Sequence, residues 1–182
     1  MNPSAQAARP DHVASGPDLI RRAAAGDRDA LASLVDAHHT DMLRVSFVVC
    51  GDRELARDAV QSAWLRAATR LHSIRDHTRV RAWLCSVAAN EARMSVRRRR
   101  PTLPVSSLDG HAAAERGMPT AAAMDLAATL ARLDMGDRQL LALRYIAGFS
   151  SPELADHFGM TPAGVRSRLK RLLDRLRKEL DR

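Results

Sequence analysis

Ser150-Ser151-Pro152-Glu153-Leu154-Ala155-Asp156-His157-Phe158-Gly159-Met160-Thr161-Pro162-Ala163-Gly164-Val165-Arg166-Ser167-Arg168-Leu169 is the stretch on which the fold turns. Ser150 and Glu153 make an S-x-x-E capping box, and Leu154 and Ala155 begin the apolar face of a short helix. That helix ends near Phe158-Gly159, where glycine supplies the left-handed residue of a tight turn. Thr161 then caps a second helix with Pro162 at its first position. Met160 and Val165 stand at the staple positions that fix its entry angle. Two helices joined by so short a glycine turn form a helix-turn-helix.

The second helix has the chemistry to enter a DNA major groove. Val165, Leu169, Leu172, Leu173, Leu176 and Leu180 form its apolar stripe, and eight basic residues face three acidic ones between Thr161 and Arg182. Arg166, Ser167, Lys170 and Arg171 lie off the stripe in the N-terminal half, and Thr161 and Arg168 complete the candidate DNA-binding set. An ordinary amphipathic helix with a solvated charged face is the competing reading. The caps, the turn and the one-sided charge favour DNA. Gly164 inside the helix costs roughly 1 kcal/mol relative to Ala, with close backbone approach as the possible return.

Upstream, helical spacing continues and strand alternation is missing, so the expected fold is all-α. One helix covers about Asp18 to Ala25, and Asp27 caps another that ends at Gly51. Asp52 caps a third, with Leu55, Ala59, Ala63 and Leu71 among its apolar positions. After a polar loop, Thr78 caps a fourth carrying Val80, Trp83, Leu84, Val87, Ala88 and Met94 at i, i+3, i+4 spacing. It runs into Arg97-Arg98-Arg99-Arg100 and halts at Pro101. Four arginines exceed what the helix dipole needs, so phosphate contact by Arg97 and Arg98 stands beside capping. Helices from about Thr120 to Leu133 and from Asp137 to Ala147 precede the helix-turn-helix. Prolines, glycines and serines at 101–119 read as a flexible linker. The chain therefore divides into a disordered tail (1–16), a first domain (17–100), the linker (101–119) and a second domain (120–182).

Composition supports a polyanionic partner. The 182 residues carry a net charge of +8, and only two of the 29 basic residues are lysines. The first hundred residues hold 17 basic against 11 acidic side chains, and residues 120–182 hold 11 against 8, so both blocks are basic. No apolar run spans a bilayer and no secretory core opens the chain, which places the expected protein in the cytoplasm. Cys50 and Cys85 are isolated and read as reduced thiols. The adjacent His38 and His39 would point about 100° apart on a helix, so no metal is expected.

With both blocks read, a family resemblance emerges. Asp58-Ala59-Val60-Gln61-Ser62-Ala63-Trp64 resembles the D-V-V-Q-E-T-F segment of sigma-factor region 2. Arg81-Ala82-Trp83-Leu84 with Ala88-Ala89-Asn90 is similar to its R-A-W-L…A-x-N segment. Arg138-Gln139 with Leu143-Arg144-Tyr145 resembles the start of region 4, and Val165-Arg166-Ser167-Arg168-Leu169 its V-K/R-S-R-L core. The chain is thus identified as a member of the bacterial sigma factors of the extracytoplasmic-function group. Ser62 stands where the family usually has Glu, and Ala68 where it often has an aromatic residue.

The resemblance implies partners and roles. Region 2 would grip the clamp of core RNA polymerase and melt the minus-ten element, and region 4 would ride on the flap and read the minus-thirty-five element. The partners are then the β and β′ subunits, promoter DNA and an anti-sigma factor, with no small-molecule substrate and no cofactor. Asp58 and Gln61 become clamp contacts beside Trp64, which by its pattern alone reads as core like Trp83. Asn90 would hold a flipped-out minus-ten base. Arg75, Arg79 and Arg81 would touch the open strand's phosphates. A stand-alone helix-turn-helix regulator is the alternative function. No paired carboxylates, nucleophile–base pair or phosphate loop suggests an enzyme.

Overall fold

The computed structural model describes residues 16–74, 76–99 and 121–180, which hold eight α-helices, two 3-10 turns and no strand. Helix α1 (Gly16–Ala24) turns through Gly26, at φ 92°, into α2 (Arg28–Cys50). Asp27 starts α2 by accepting from the amides of Asp29 and Ala30, and Gly51 ends it in the left-handed region at φ 74°. Asp52 caps α3 (Arg53–Arg70) by accepting from the Leu55 amide at 2.9 Å.

A 3-10 turn at Leu71–Ser73 and another at His77–Arg79 lead into α4 (Val80–Arg99). The cap expected of Thr78 belongs instead to Asp76, whose carboxylate accepts from both the amide (3.0 Å) and the hydroxyl (2.6 Å) of Thr78. The Thr78 hydroxyl is thus engaged as a donor inside the 3-10 turn that precedes α4. The tail and the linker lie outside the described residues, except that Gly16 already begins α1.

Helices α1 to α4 close around a core rich in alanine. Ala56, Ala59, Ala63 and Ala67 of α3 and Ala88, Ala89 and Ala92 of α4 are all fully buried, with Met42, Val45 and Val49 of α2. Small side chains let the three helix axes approach closely and leave little room for added volume. Trp83 is half-buried against this core rather than inside it, and Met94 is 41% exposed where the spacing placed it on the stripe.

The second block comprises α5 (Ala121–Ala131), α6 (Met135–Tyr145), α7 (Ser151–Phe158) and α8 (Pro162–Leu180). Asp134 caps α6 through the Asp137 amide at 2.8 Å, so this helix starts two residues before the expected Asp137. Five consecutive residues of α6, Gln139 to Leu143, are buried. A helix buried on every side is sandwiched. One face of α6 meets α7 and α8, and the opposite face meets α2 and α4, so the core runs from the first block into the second.

Candidate nucleic-acid interface

The helix-turn-helix forms as the sequence indicates. The Ser150–Glu153 capping box is closed in both directions, with the Ser150 amide donating to Glu153 at 2.8 Å. Gly159 closes α7 at φ 63°, a conformation costly for any residue with a Cβ. Thr161 Oγ1 accepts from the Gly164 amide at 3.1 Å. A Cβ on residue 164 would sit 3.1 Å from that same oxygen, so this glycine serves the cap inside the protein. Val165 is fully buried and Met160 packs against the core beside it, which fixes the angle at which α8 leaves the turn.

On α8, Val165, Leu169, Leu172 and Leu176 are buried, and Thr161, Arg166, Ser167, Lys170 and Arg171 are exposed. None of Arg166, Lys170 and Arg171 makes an ion pair with a described residue. Arg168 differs. It donates through Nε to Asp137 Oδ1 at 2.6 Å and lies 3.9 Å from Asp134, so its guanidinium ties α8 to the start of α6. Leu173 is 38% exposed and sits at the edge of the seam.

The candidates on the first block lie in a different setting. Arg81 donates to Asp41 at 2.6 Å, an interaction that raises its already high pKa, and to the Ile146 carbonyl at 2.7 Å. Arg79 pairs with Glu153 and lies over the Phe149 ring, 5.9 Å from its centroid. Burial pushes the Glu153 carboxyl up, but its bonds to Ser150 and the Arg79 charge hold it below the usual range. Asn90 Oδ1 accepts from Gln139 Nε2 at 3.1 Å, and the same amide donates to His157 Nε2 at 3.3 Å. Arg97 and Arg98 are exposed at the end of α4, with Arg98 4.0 Å from Glu91. Arg75 lies outside the described residues.

Asp58 and Gln61 are exposed on α3, and Trp64 is half-buried, donating from Nε1 to His39 Nδ1 at 3.3 Å. The structure brings these three onto one helix face, away from Arg79 and Asn90 in sequence but joined to α4 through Arg66, whose guanidinium meets the buried Glu91 at 2.8 Å. Cys50 is half-buried and Cys85 buried, and desolvation pushes their thiols up to about 11 and about 12, so both stay protonated near neutrality.

Residues that the sequence did not single out for the site are Asp41, Gln139 and Glu153. Gln139 had a faint signal: it stands in the Arg138-Gln139 pair directly ahead of the apolar run Leu140 to Leu143. Asp41 had none beyond its charge and Glu153 none beyond its capping box, because their partners lie 40 and 74 residues away.

Comparison with known proteins agrees with this geometry. Residues 34–102 match the Sigma-70 region 2 family and residues 123–176 match Sigma-70, region 4. SigL of Mycobacterium tuberculosis, an extracytoplasmic-function RNA polymerase sigma factor, is 33% identical over 82% of this chain and 88% of its own length. The solved structure of CnrH in complex with the cytosolic domain of CnrY has a TM-score of 0.65 at 29% identity, covering 90% of this chain and 95% of that one. The sigma factor RpoE from Bartonella quintana, solved with the anti-sigma factor NepR, shares the fold at a TM-score of 0.67 and 21% identity, over 85% and 96% of the two chains. Two family regions in order, a relative matched over most of its length and the capped helix-turn-helix lead to one assignment: the chain belongs to the extracytoplasmic-function sigma factors of the sigma-70 family.

Proposed function

We propose that this sigma factor binds core RNA polymerase through its β and β′ subunits and directs initiation in the cytoplasm, reading a minus-thirty-five element with residues 120–182 and a minus-ten element with residues 17–100. The observation that carries the reading is the N-terminal half of α8. Its exposed Arg166, Ser167, Lys170 and Arg171 follow a closed capping box and a glycine turn, the arrangement that presents a helix to a major groove. Arginine in such a place donates bidentately to guanine. Thr161 at the helix start is suited to a phosphate oxygen, and Arg168, bound to Asp137, positions the helix from behind. Asp58, Gln61 and Trp64 are assigned to the polymerase clamp, and Arg75, Arg79, Arg81, Asn90, Arg97 and Arg98 to the opened minus-ten strand. The chain contributes recognition, and the chemistry of RNA synthesis belongs to the polymerase. A protein regulator of the anti-sigma kind is proposed with it, as CnrH was solved with the cytosolic domain of CnrY bound.

The test is run-off transcription with core polymerase on a library of upstream sequences. The expected result is specific starts that need both the chain and the core enzyme. Tight operator binding by the chain alone, with no transcription after core enzyme is added, would favour the regulator reading.

A further inference from the structure

Among the described residues, Glu91 is the only charged residue that is buried, at 3% exposure. It lies in α4 beside Ala88, Ala89 and Ala92, all fully buried. A carboxylate in such a place needs compensation. Two helices provide it. Arg66 Nε of α3 lies 2.8 Å from Oε1, and Arg98, about two turns farther along α4, approaches Oε2 at 4.0 Å. Both guanidiniums keep contact with solvent, their side chains being 49% and 61% exposed. A guanidinium carries five N–H donors, and one carboxylate cannot take those of two arginines. Donors are therefore left over on the outer side of the cluster.

A bridge between α3 and α4 requires one arginine, and an apolar pair of similar volume would often hold the helices as well. The second arginine goes beyond that need and leaves one positive charge in excess. The rest of the run is arranged around it. Arg99 donates to Asp52 Oδ2 at 3.2 Å at the start of α3, and Arg97 is exposed with no ion pair to a described residue. The head of Arg98 is thus steered toward α3 and Arg66. Long side chains give up rotamer freedom when they bind, and here part of that ordering precedes any ligand. Two planar forks with free donors, surplus charge and steered heads suit a phosphate. Such a contact grips the backbone and carries no sequence information.

We propose that Arg66 and Arg98, with Glu91 as their positioning residue, form a phosphate-binding site that takes the DNA backbone beside the minus-ten element. The proposal rests on the first block being a DNA-binding domain. It extends that surface onto α3 through Arg66, beyond α4 and the turns ahead of it.

Fluorescence anisotropy of the full chain with a labelled random-sequence duplex, over a salt series, tests it. Circular dichroism checks the fold of each variant. Arg66→Gln should weaken binding and lower the slope of log affinity against log salt by about one counterion. Arg57→Gln makes the same charge change at an exposed position of the same helix and should keep the parent's slope. Glu91→Gln separates a held pair from loose charge. It removes a negative charge, so arginines that Glu91 does not position would bind DNA more tightly, whereas a pair that has lost its positioning carboxylate should bind less tightly. If Glu91→Gln loses its helical fold, Arg66→Gln against Arg57→Gln decides. Equal slopes for those two variants, or tighter binding by a folded Glu91→Gln, would overturn the site. A parent chain whose affinity ignored salt would overturn the DNA-binding reading beneath it as well.

Discussion

The two basic surfaces of the chain are held in different ways. On α8, Arg166, Lys170 and Arg171 stand clear of the leucine seam and make no ion pair with a described acidic group. At the start of α4, Arg79 and Arg81 are each bonded to the second block, and Asn90 farther along the same helix is as well. The supports differ too. The first block packs buried alanines at its helix crossings, and the second rests on Leu140, Leu143, Leu154 and Leu169. A pattern of arginines thus tells which face is basic, and only the packing tells whether that face is open. One surface is open as the chain stands, and the other is already bonded to the second block.

The strongest test of this contrast is the helix shared by both surfaces. Leu140 is fully buried in α6, between the partners of Asp137 and those of Gln139. Leu140→Ala should destabilise the chain by about 2–5 kcal/mol, as cavities in well-packed cores do. Denaturant unfolding would measure it. A loss under about 1 kcal/mol would mean that α6 is not sandwiched and that the two surfaces are independent.

A smaller effect separates reading from gripping on α8. If Arg166 or Arg171 makes a bidentate base contact, its change to Ala should cost roughly 1–3 kcal/mol and relax preference at one base pair. Arg177 lies beyond the exposed N-terminal half, so Arg177→Ala should leave preference unchanged and at most lower the salt dependence by about one counterion. Start-site activity on a library of upstream elements would show both. Unchanged preference in Arg166→Ala and Arg171→Ala beside a shift in Arg177→Ala would put the opposite end of the helix in the groove.

Much of this was legible in the sequence where the determinants are local. Asp27, Asp52, Ser150 and Gly159 each act within one turn of the backbone they terminate, so their helices begin and end as the residues indicate. Thr78 is not the cap: its amide and hydroxyl both donate to Asp76 in the 3-10 turn ahead of α4. Arg168 joins the expected DNA contacts as part of the Val165 to Leu169 segment that resembles region 4, and in the structure it is bonded to Asp137, 31 residues earlier. The docking of α6 was encoded as five buried residues in a row, but a buried helix does not name the helices that bury it. Family resemblance proposed Arg79 and Asn90 as minus-ten contacts, and no sequence pattern could state that Glu153 and Gln139 would be bonded to them.

The smallest expected effect joins the two surfaces through acidity. His157 Nε2 accepts from the Gln139 amide only while its ring is neutral, and burial, with Arg93 of α4 adding to it, lowers its pKa. His38 of α2 is lowered as well, by burial first, with Asp41 opposing and Arg81 adding to it. Besides these charged groups, Gln139 from α6 and Phe149 ahead of α7 face the His157 ring. Above the ordinary imidazole pKa of about 6.5 both rings are neutral whether the blocks are docked or apart, and they leave the balance unchanged. As pH falls through that value, the separated form takes up protons that the docked form resists, so docking weakens. Once the depressed values are passed, both forms are protonated and the loss levels off. X-ray scattering of the full chain should therefore show a larger radius of gyration at mildly acidic pH than at pH near 8. His157→Gln keeps an acceptor beside Gln139 and removes the titration, so it should flatten the part of the change that His157 carries. A parent chain that compacts as acid is added, or a His157→Gln chain that responds as the parent does, would place the pH-sensitive contact elsewhere in the molecule.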